Sequence, residues 1–227
     1  MRALAAPAEG TRLAALWRLL SLGFAPPTAD RVAEVEALAG ALAEIESTPE
    51  LDAVLAAIRS TELDDLSGQF SALFRGTVLV PPYEGSYEAD PIRQGRQMAD
   101  VAAFYRAFGA EAHGPSADRP DFVACELEFL SFLELRSMTA VEAEEEGADL
   151  VEQIAATFLA DHAGRWLPTF FAGILEAAPD APFYRALATL GAQVVARELE
   201  RRGLEPSPLP PRRRRSLVER DTFACGA

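Results

Sequence analysis

Apolar residues recur at helical spacing along almost the whole chain, and this periodicity constrains the fold more than any other feature. Near the N-terminus, Leu13, Leu16, Trp17 and Leu20 repeat three or four positions apart, and the same spacing returns in successive segments up to residue 202. No set of strand-like segments is present that could pair into a sheet. The sequence therefore predicts an all-α protein, a single bundle of about nine helices.

Helix boundaries are marked by capping residues. Thr28, Thr48-Pro49 and Asp90-Pro91 each place a side-chain acceptor in front of a helical pattern, twice with proline in the first turn. A later helix is expected from Pro120 to Met138. The acidic run Glu142–Glu146 is expected to start the next helix, which ends near His162.

Two segments break the helical pattern. In Thr77–Ala89, Val78 to Val80 favour a strand, but Pro81-Pro82 cannot donate hydrogen bonds to a ladder, so we expect an extended, partly buried loop. The end of the chain is rich in proline and arginine. This composition predicts a helical domain over residues 1–205 and a loosely held tail over residues 206–227.

Charge narrows the classes of function. The formal net charge is −14, which disfavours nucleic acid and anionic membranes and favours cationic partners. Every basic residue is arginine, which excludes Schiff-base lysines, pyridoxal phosphate attachment and the lysine of a phosphate-binding loop. No uncharged stretch approaches the ~20 residues that span a bilayer, and no secretory signal is evident. We expect a cytoplasmic protein without stable membrane insertion.

The motifs of common enzymes are also missing. The sequence contains no Glu-x-x-His, no HExxH, no G-x-S-x-G and no GxGxxG after a strand. The two cysteines lie 100 positions apart, at Cys125 and Cys225, and form no metal-binding pair. These absences predict a binding protein without metal or cofactor, not an enzyme.

Three motifs in register carry a family resemblance. They are Phe70–Gly76 leading into Val80–Glu88, then Arg119–Leu133, then Phe158–His162 followed by Trp166, Pro168 and Phe170. Together they resemble the TorD/DmsD/NarJ family of cytoplasmic chaperones dedicated to molybdopterin enzymes of the dimethyl sulfoxide reductase type. Two positions depart from the family pattern: Phe122 replaces a usual histidine, and Gly85 precedes the loop serine.

The resemblance implies an all-helical chaperone that binds the N-terminal signal, often a twin-arginine one, of a catalytic subunit. Such a chaperone holds its client competent for cofactor insertion before export or membrane attachment. Two alternatives remain: a scaffold that bridges subunits without reading a signal, and a weak nucleotide-binding protein. The client is open, and a homodimer formed by exchange of helices across the loop Ala110–Arg119 is compatible with the sequence.

A twin-arginine signal offers guanidinium groups beside an apolar stretch, so reading it requires carboxylates and an aromatic-lined groove. The candidate binding residues are Phe74, Pro82, Tyr83, Glu84, Tyr87, Asp121 and Glu126. For the tyrosines the alternative is that they fasten the loop to the bundle, and for Phe74 that it belongs to the core.

Glu126 is unusual because apolar residues surround it on one helix face, whereas Glu128 and Asp121 are expected on the other. It either accepts a client arginine or has a structural donor, such as an internal arginine or the amides of residues 82–86. His162, Trp166 and Phe170 share a helix face, and we expect them to pack.

The tail carries five arginines, and Arg214-Arg215 precede an apolar pair, Leu217-Val218. One hypothesis is that the tail occupies the client groove when no client is bound. The alternative is a solvated tail without a partner.

Overall fold

The computed structural model describes residues 5–110, 119–143 and 148–210. Within these ranges the chain forms nine α-helices and no β-strand, which confirms the all-α prediction. The helices are α1 (Ala5–Phe24), α2 (Ala29–Ile45), α3 (Pro49–Ser60), α4 (Leu63–Phe74), α5 (Pro91–Ala107), α6 (Val123–Glu142), α7 (Ala148–Phe158), α8 (Gly164–Ala177) and α9 (Pro182–Arg202). Two short turns complete the fold: a 3₁₀ turn at Glu84–Tyr87 and a π turn at Leu159–Ala163.

The predicted caps start their helices. The hydroxyl of Thr28 accepts from the backbone N–H of Arg31 at 3.3 Å, and Thr48 accepts in the same way from Leu51 at 3.3 Å. The carboxylate of Asp90 accepts from the N–H of Ile92 at 2.9 Å. Each cap satisfies an N–H that has no partner within its own helix.

Several helix boundaries differ from the prediction. The helix expected to end at Met138 continues to Glu142, so Glu142 ends this helix and does not start the next one. The helix expected from Pro120 begins only at Val123, because the residues before it pair with the loop over residues 77–89. The expected break between His162 and Arg165 is also wrong, because the π turn joins α7 to α8 without leaving helical geometry. A π turn widens the helix by one residue and rotates the side chains that follow it.

Helices α1 and α6 pack antiparallel in the centre of the bundle. The hydroxyl of Ser21 donates to the carbonyl oxygen of Ala124 at 2.8 Å, and Ser131 donates to that of Ala14 at 2.8 Å. Trp17 of α1 is fully buried in the resulting core. This pairing fixes the start of α6, where the candidate residues lie.

A cluster of ion pairs connects the second half of α6 to α7 and α9. The buried guanidinium of Arg202 reaches Glu134 at 2.7 Å, Glu152 at 2.6 Å and Glu198 at 3.3 Å. Burial raises the pKa of Glu134, although the charge of Arg202 opposes this. Removing Arg202 would leave the buried charge of its carboxylate partners uncompensated, which is costly. The cluster therefore holds the three helices together.

Residues 206–210, the first part of the predicted tail, lie against α8. Leu209 is buried, its N–H donates to the carbonyl of Arg165 at 2.7 Å, and its own carbonyl accepts from Thr169 at 2.7 Å. The rest of the tail, with its arginines, lies outside the described residues, as do most of the loop Ala110–Arg119 and residues 144–147 of the acidic run. In the part that the structure describes, no helix combines the length and apolarity needed to cross a membrane.

Candidate functional site

The loop over residues 77–89 is fastened to the segment that leads into α6. The carbonyl of Pro82 accepts from the N–H of Val123 at 2.9 Å, and the N–H of Glu84 donates to the carbonyl of Asp121 at 3.0 Å. Tyr83 and Phe122 form the antiparallel bridge between these bonds. The prolines do not prevent the pairing, because Pro82 contributes only its carbonyl. The segment is the partly buried loop that was predicted, but it is not extended throughout, because it contains a 3₁₀ turn at Glu84–Tyr87.

Asp121 is a buried carboxylate that points into the loop. Its two oxygens accept from the guanidinium of Arg119 at 2.8 and 2.9 Å, and Oδ2 also accepts from the N–H of Gly85 at 3.1 Å. A Cβ at Gly85 would come within 3.1 Å of the same oxygen, so the loop approaches closely here. The expectation that Asp121 shares a face with Glu128 is wrong, because Asp121 precedes the helix, whereas Glu128 is exposed and pairs with Arg18.

Arg119 also stacks on Tyr83. Its guanidinium carbon lies 3.9 Å from the centre of the Tyr83 ring, in the range of a strong cation–π contact. The side chain of Arg119 is 41% exposed, and Tyr83 is half-buried. Tyr83 is thereby the most exposed of the seven candidate residues.

Glu84 is fully buried and binds His162 of the π turn. Nδ1 of His162 lies 3.0 Å from Glu84 Oε2, and Nε2 lies 3.3 Å from the carboxylate of Asp100 on α5. Burial lowers the pKa of His162, but the hydrogen bond and charge of Glu84, together with Asp100, outweigh it and leave the pKa raised. His162 therefore links the loop, α5 and the π turn through its two ring nitrogens.

Glu126 is fully buried, and its donor is the indole of Trp166, whose Nε1 lies 2.9 Å from Glu126 Oε2. Glu126 thus has a structural donor, as one of the two alternatives proposed, but this donor is an indole and not an internal arginine or a loop amide. Burial, followed by the charge of Glu84, raises the pKa of Glu126 well above its usual range, although the bond from Trp166 opposes this. Within the described residues Oε1 has no hydrogen-bond partner. Burial and a single neutral donor thus favour the neutral form of the Glu126 carboxyl over the carboxylate.

Two buried tyrosines hold this region in place, one through its ring and one through its hydroxyl. Tyr87 is buried, donates to the carbonyl of Pro81 at 3.0 Å and packs its ring against Trp166 at 5.4 Å. Tyr105, which sequence reasoning missed, donates to the carbonyl of Pro120 at 2.9 Å. Tyr87 thus fastens the loop to the bundle in this structure, and its part in client binding stays a prediction.

Phe74 lies apart from the other candidates in an aromatic cluster of the core. Its ring lies 5.5 Å from Tyr184 and 5.9 Å from Phe170, and Phe170 in turn lies 5.4 Å from Trp166. Phe74 is therefore linked to Trp166 by ring contacts through Phe170. Six of the seven candidates are buried, so a client would touch them only if the loop moved.

Sequence reasoning missed most of the donors. His162 and Trp166 were expected only to pack, yet they bind Glu84 and Glu126, and Arg119 was not a candidate at all. The spacing of His162 and Trp166 by four residues was the available signal, because two polar ring nitrogens on an apolar face need acceptors. Among the described parts of the chain, no group of three or more His, Cys, Asp or Glu side chains is arranged to hold a metal ion.

An open cavity of about 510 Å³ lies elsewhere, between α1, α6 and α9. Apolar side chains form much of its lining, including Leu13, Met138, Leu190 and Val194. Glu134, Glu152, Arg197 and Arg201 are among the charged residues that also line it. The cavity shares no lining residue with the candidates above.

The fold of this chain has a counterpart among solved structures. It is similar to a solved structure described as a candidate redox enzyme maturation protein from Archaeoglobus fulgidus, with a TM-score of 0.59 and 20% identity. The match covers 81% of this chain and 93% of the other. At this identity the likeness supports the architecture alone.

Similarity to known sequences identifies the family. The chain is 32% identical over 110 residues to the selenate reductase assembly chaperone protein of Thauera selenatis, a match that covers 47% of this chain and 56% of the relative. It is 28% identical over 139 residues to the chlorate reductase assembly chaperone protein of Ideonella dechloratans, covering 57% of this chain and 71% of the relative. The profile of the nitrate reductase delta subunit family matches residues 36–172, so the chain belongs to that family. This match contains all three motifs and confirms the resemblance.

The protonated state of Glu126 yields a first prediction. Glu126→Gln keeps an acceptor for Trp166 and removes the carboxyl that ionises, so we expect its free energy of unfolding to lie within about 1 kcal/mol of the wild type at pH 7. Glu126→Ala, which leaves the indole N–H without its acceptor, should lose about 1–3 kcal/mol. Urea denaturation of both variants measures this. An equal, large loss in both would contradict a neutral Glu126.

The raised pKa of His162 yields a second prediction. The folded state holds the proton more tightly than the unfolded state, so the contribution of His162 is complete below about pH 6.5 and is lost as pH rises through the folded-state pKa. We expect the loss of stability in His162→Gln to be larger at pH 6 than at pH 9. Urea denaturation at both pH values, with wild type alongside, measures the difference. A loss that does not change with pH would show that folding leaves the pKa of His162 unshifted, and a larger loss at pH 9 would show that the pKa is lowered.

Proposed function

We propose that this chain is a dedicated maturation chaperone, not an enzyme. It binds the catalytic subunit of a molybdopterin oxidoreductase in the cytoplasm, through an N-terminal signal that carries paired arginines, and keeps that subunit competent for cofactor insertion before export or membrane attachment. The observation that carries this proposal is the family match over residues 36–172. The two relatives named as assembly chaperones support the same role.

The charge of the chain supports a basic client segment. A net charge of −14 attracts a cationic signal at long range and disfavours nucleic acid as a partner. Long-range attraction of this kind accelerates encounter and weakens as salt increases. The bound state then depends on close contacts.

We assign those contacts to the loop region. Tyr83, which is half-buried, is the candidate that a client reaches first. The six buried candidates support the loop from below the surface. Glu84, Asp121 and Glu126 do so through the side chains that donate hydrogen bonds to them. The carbonyl of Pro82 accepts a backbone hydrogen bond, and the hydroxyl of Tyr87 donates to a backbone carbonyl. Phe74 supports them through Phe170.

The cavity between α1, α6 and α9 is a second candidate surface for the same client. A signal also contains an apolar stretch, and an apolar helix can dock in a groove that presents large aliphatic side chains. The cavity lies open, whereas of the two tyrosine candidates in the loop Tyr87 is buried and Tyr83 is half-buried. Gln193, an exposed residue of α9 in its lining, offers a position for testing this surface.

Co-purification tests the function itself. Tagged full-length protein is expressed in the native host, once with the molybdoenzyme catalytic subunit intact and once with that subunit lacking its N-terminal signal. We expect retention of the intact subunit and loss of retention without the signal. Retention independent of the signal would favour the subunit-bridging scaffold, and absence of any molybdoenzyme subunit would contradict the chaperone role.

Affinity for a synthetic signal peptide separates the two surfaces. Tyr83→Ala should weaken binding by about 1–3 kcal/mol if the loop is the contact. Gln193→Arg should weaken it if the cavity is the contact, because a new cation repels the basic peptide, whereas the matched Gln193→Glu should not. Fluorescence anisotropy measures all three. Unchanged affinity in Tyr83→Ala removes the loop from the proposal, and unchanged affinity in Gln193→Arg removes the cavity.

A further inference from the structure

The side chains around Arg119 provide the contacts by which proteins recognise a guanidinium group. Its Nε and Nη2 donate to the two oxygens of Asp121 at 2.8 and 2.9 Å, so the pair is bidentate. The same guanidinium lies over the ring of Tyr83, with its carbon 3.9 Å from the ring centre. A planar cation, a fork of two acceptors and an aromatic face are the combination that suits arginine and not lysine.

The acceptor side is held without help from Arg119. Asp121 is buried, its Oδ2 accepts from the N–H of Gly85, and its backbone carbonyl accepts from the N–H of Glu84. Tyr83 is fixed by its bridge to Phe122 and by ring contact with it at 5.5 Å. These bonds set the direction of the carboxylate and of the ring before any guanidinium arrives.

The donor side is far less enclosed. The side chain of Arg119 is 41% exposed, whereas that of Asp121 is 2% exposed. Arg119 can therefore swing into water, where its guanidinium is solvated again, while Asp121 cannot leave. A second guanidinium that took its place would make the same two hydrogen bonds and the same ring contact. Exchange of one arginine for another thus leaves no buried acceptor without a donor.

We propose that Asp121 and Tyr83 form a guanidinium-binding site that Arg119 occupies as a built-in ligand, and that an arginine of the client displaces it. The inference rests on the proposed function for the identity of the incoming arginine. In the free protein the side chain of Arg119 closes the site. Asp121 and Tyr83 set the preference for arginine over lysine.

Chemical rescue tests the site without a client. Arg119→Ala empties it in the full-length protein, and methylguanidinium chloride at millimolar concentration is the probe, with methylammonium chloride as its control. We expect methylguanidinium to raise the Tm of Arg119→Ala several-fold more than that of the wild type, and methylammonium to produce no such difference. Arg93→Ala removes an exposed arginine elsewhere and serves as the matched control for charge.

Equal shifts in Tm for wild type, Arg119→Ala and Arg93→Ala would overturn the site. Adding Asp121→Asn to Arg119→Ala should abolish the rescue, and rescue that survives this change would also overturn it. If Arg119→Ala does not fold, Arg119→Lys replaces it in the experiment, because lysine keeps the charge but cannot form the bidentate bond. Methylguanidinium should then raise its Tm more than that of the wild type, and an equal shift would count against the site.

Peptide affinity tests the displacement. Arg119→Ala should bind an Arg-Arg signal peptide several-fold more tightly than the wild type, with no gain for a Lys-Lys version. Equal affinity of wild type and variant for the Arg-Arg peptide would overturn displacement while leaving the chaperone role intact. Failure of every variant to bind any signal, with the methylguanidinium rescue preserved, would overturn signal reading and leave the guanidinium site standing.

Discussion

Three buried carboxyl groups meet around the start of α6, and the local structure depends on giving each of them a donor. Glu84 is bound by His162, Asp121 by Arg119 and Glu126 by the indole of Trp166. Because a buried carboxylate without a partner is costly, these donors fix how the loop, the approach to α6 and the π turn sit against one another. Closely spaced acids also cannot all carry charge, and Glu126, whose donor is neutral, is the one whose pKa rises well above its usual range.

The three pairs differ in how far they are enclosed, and this difference matters for function. The pairs of Glu84 and Glu126 are internal, so they act as fixed supports of the loop. The pair of Asp121 ends in an exposed guanidinium on a half-buried ring, so it forms the boundary between the support and the surface. A chaperone that must bind and later release its client benefits from a rigid acceptor with an exchangeable donor.

The helices and their starts were predictable because they follow from neighbours in the sequence. Thr28, Thr48 and Asp90 cap helices within three residues of themselves, and the apolar spacing is a property of each segment alone. The start of α6 was not predictable in this way. Residues 120–122 have a helical pattern, but the backbone of Pro82 and Glu84 offers them partners from about 40 positions earlier, and that pairing prevails.

The sequence by itself determined an all-helical fold, the acidic character of the chain and three motifs that identify its family. Only the tertiary structure decided what the motif residues bind: Trp166 lies 40 positions from Glu126, and His162 lies 78 positions from Glu84. Periodicity assigns a residue to a helix face, but it does not say which distant side chain that face meets. The partner of a buried polar group is set by how the helices pack, because a hydrogen bond forms only when donor and acceptor come within about 3 Å.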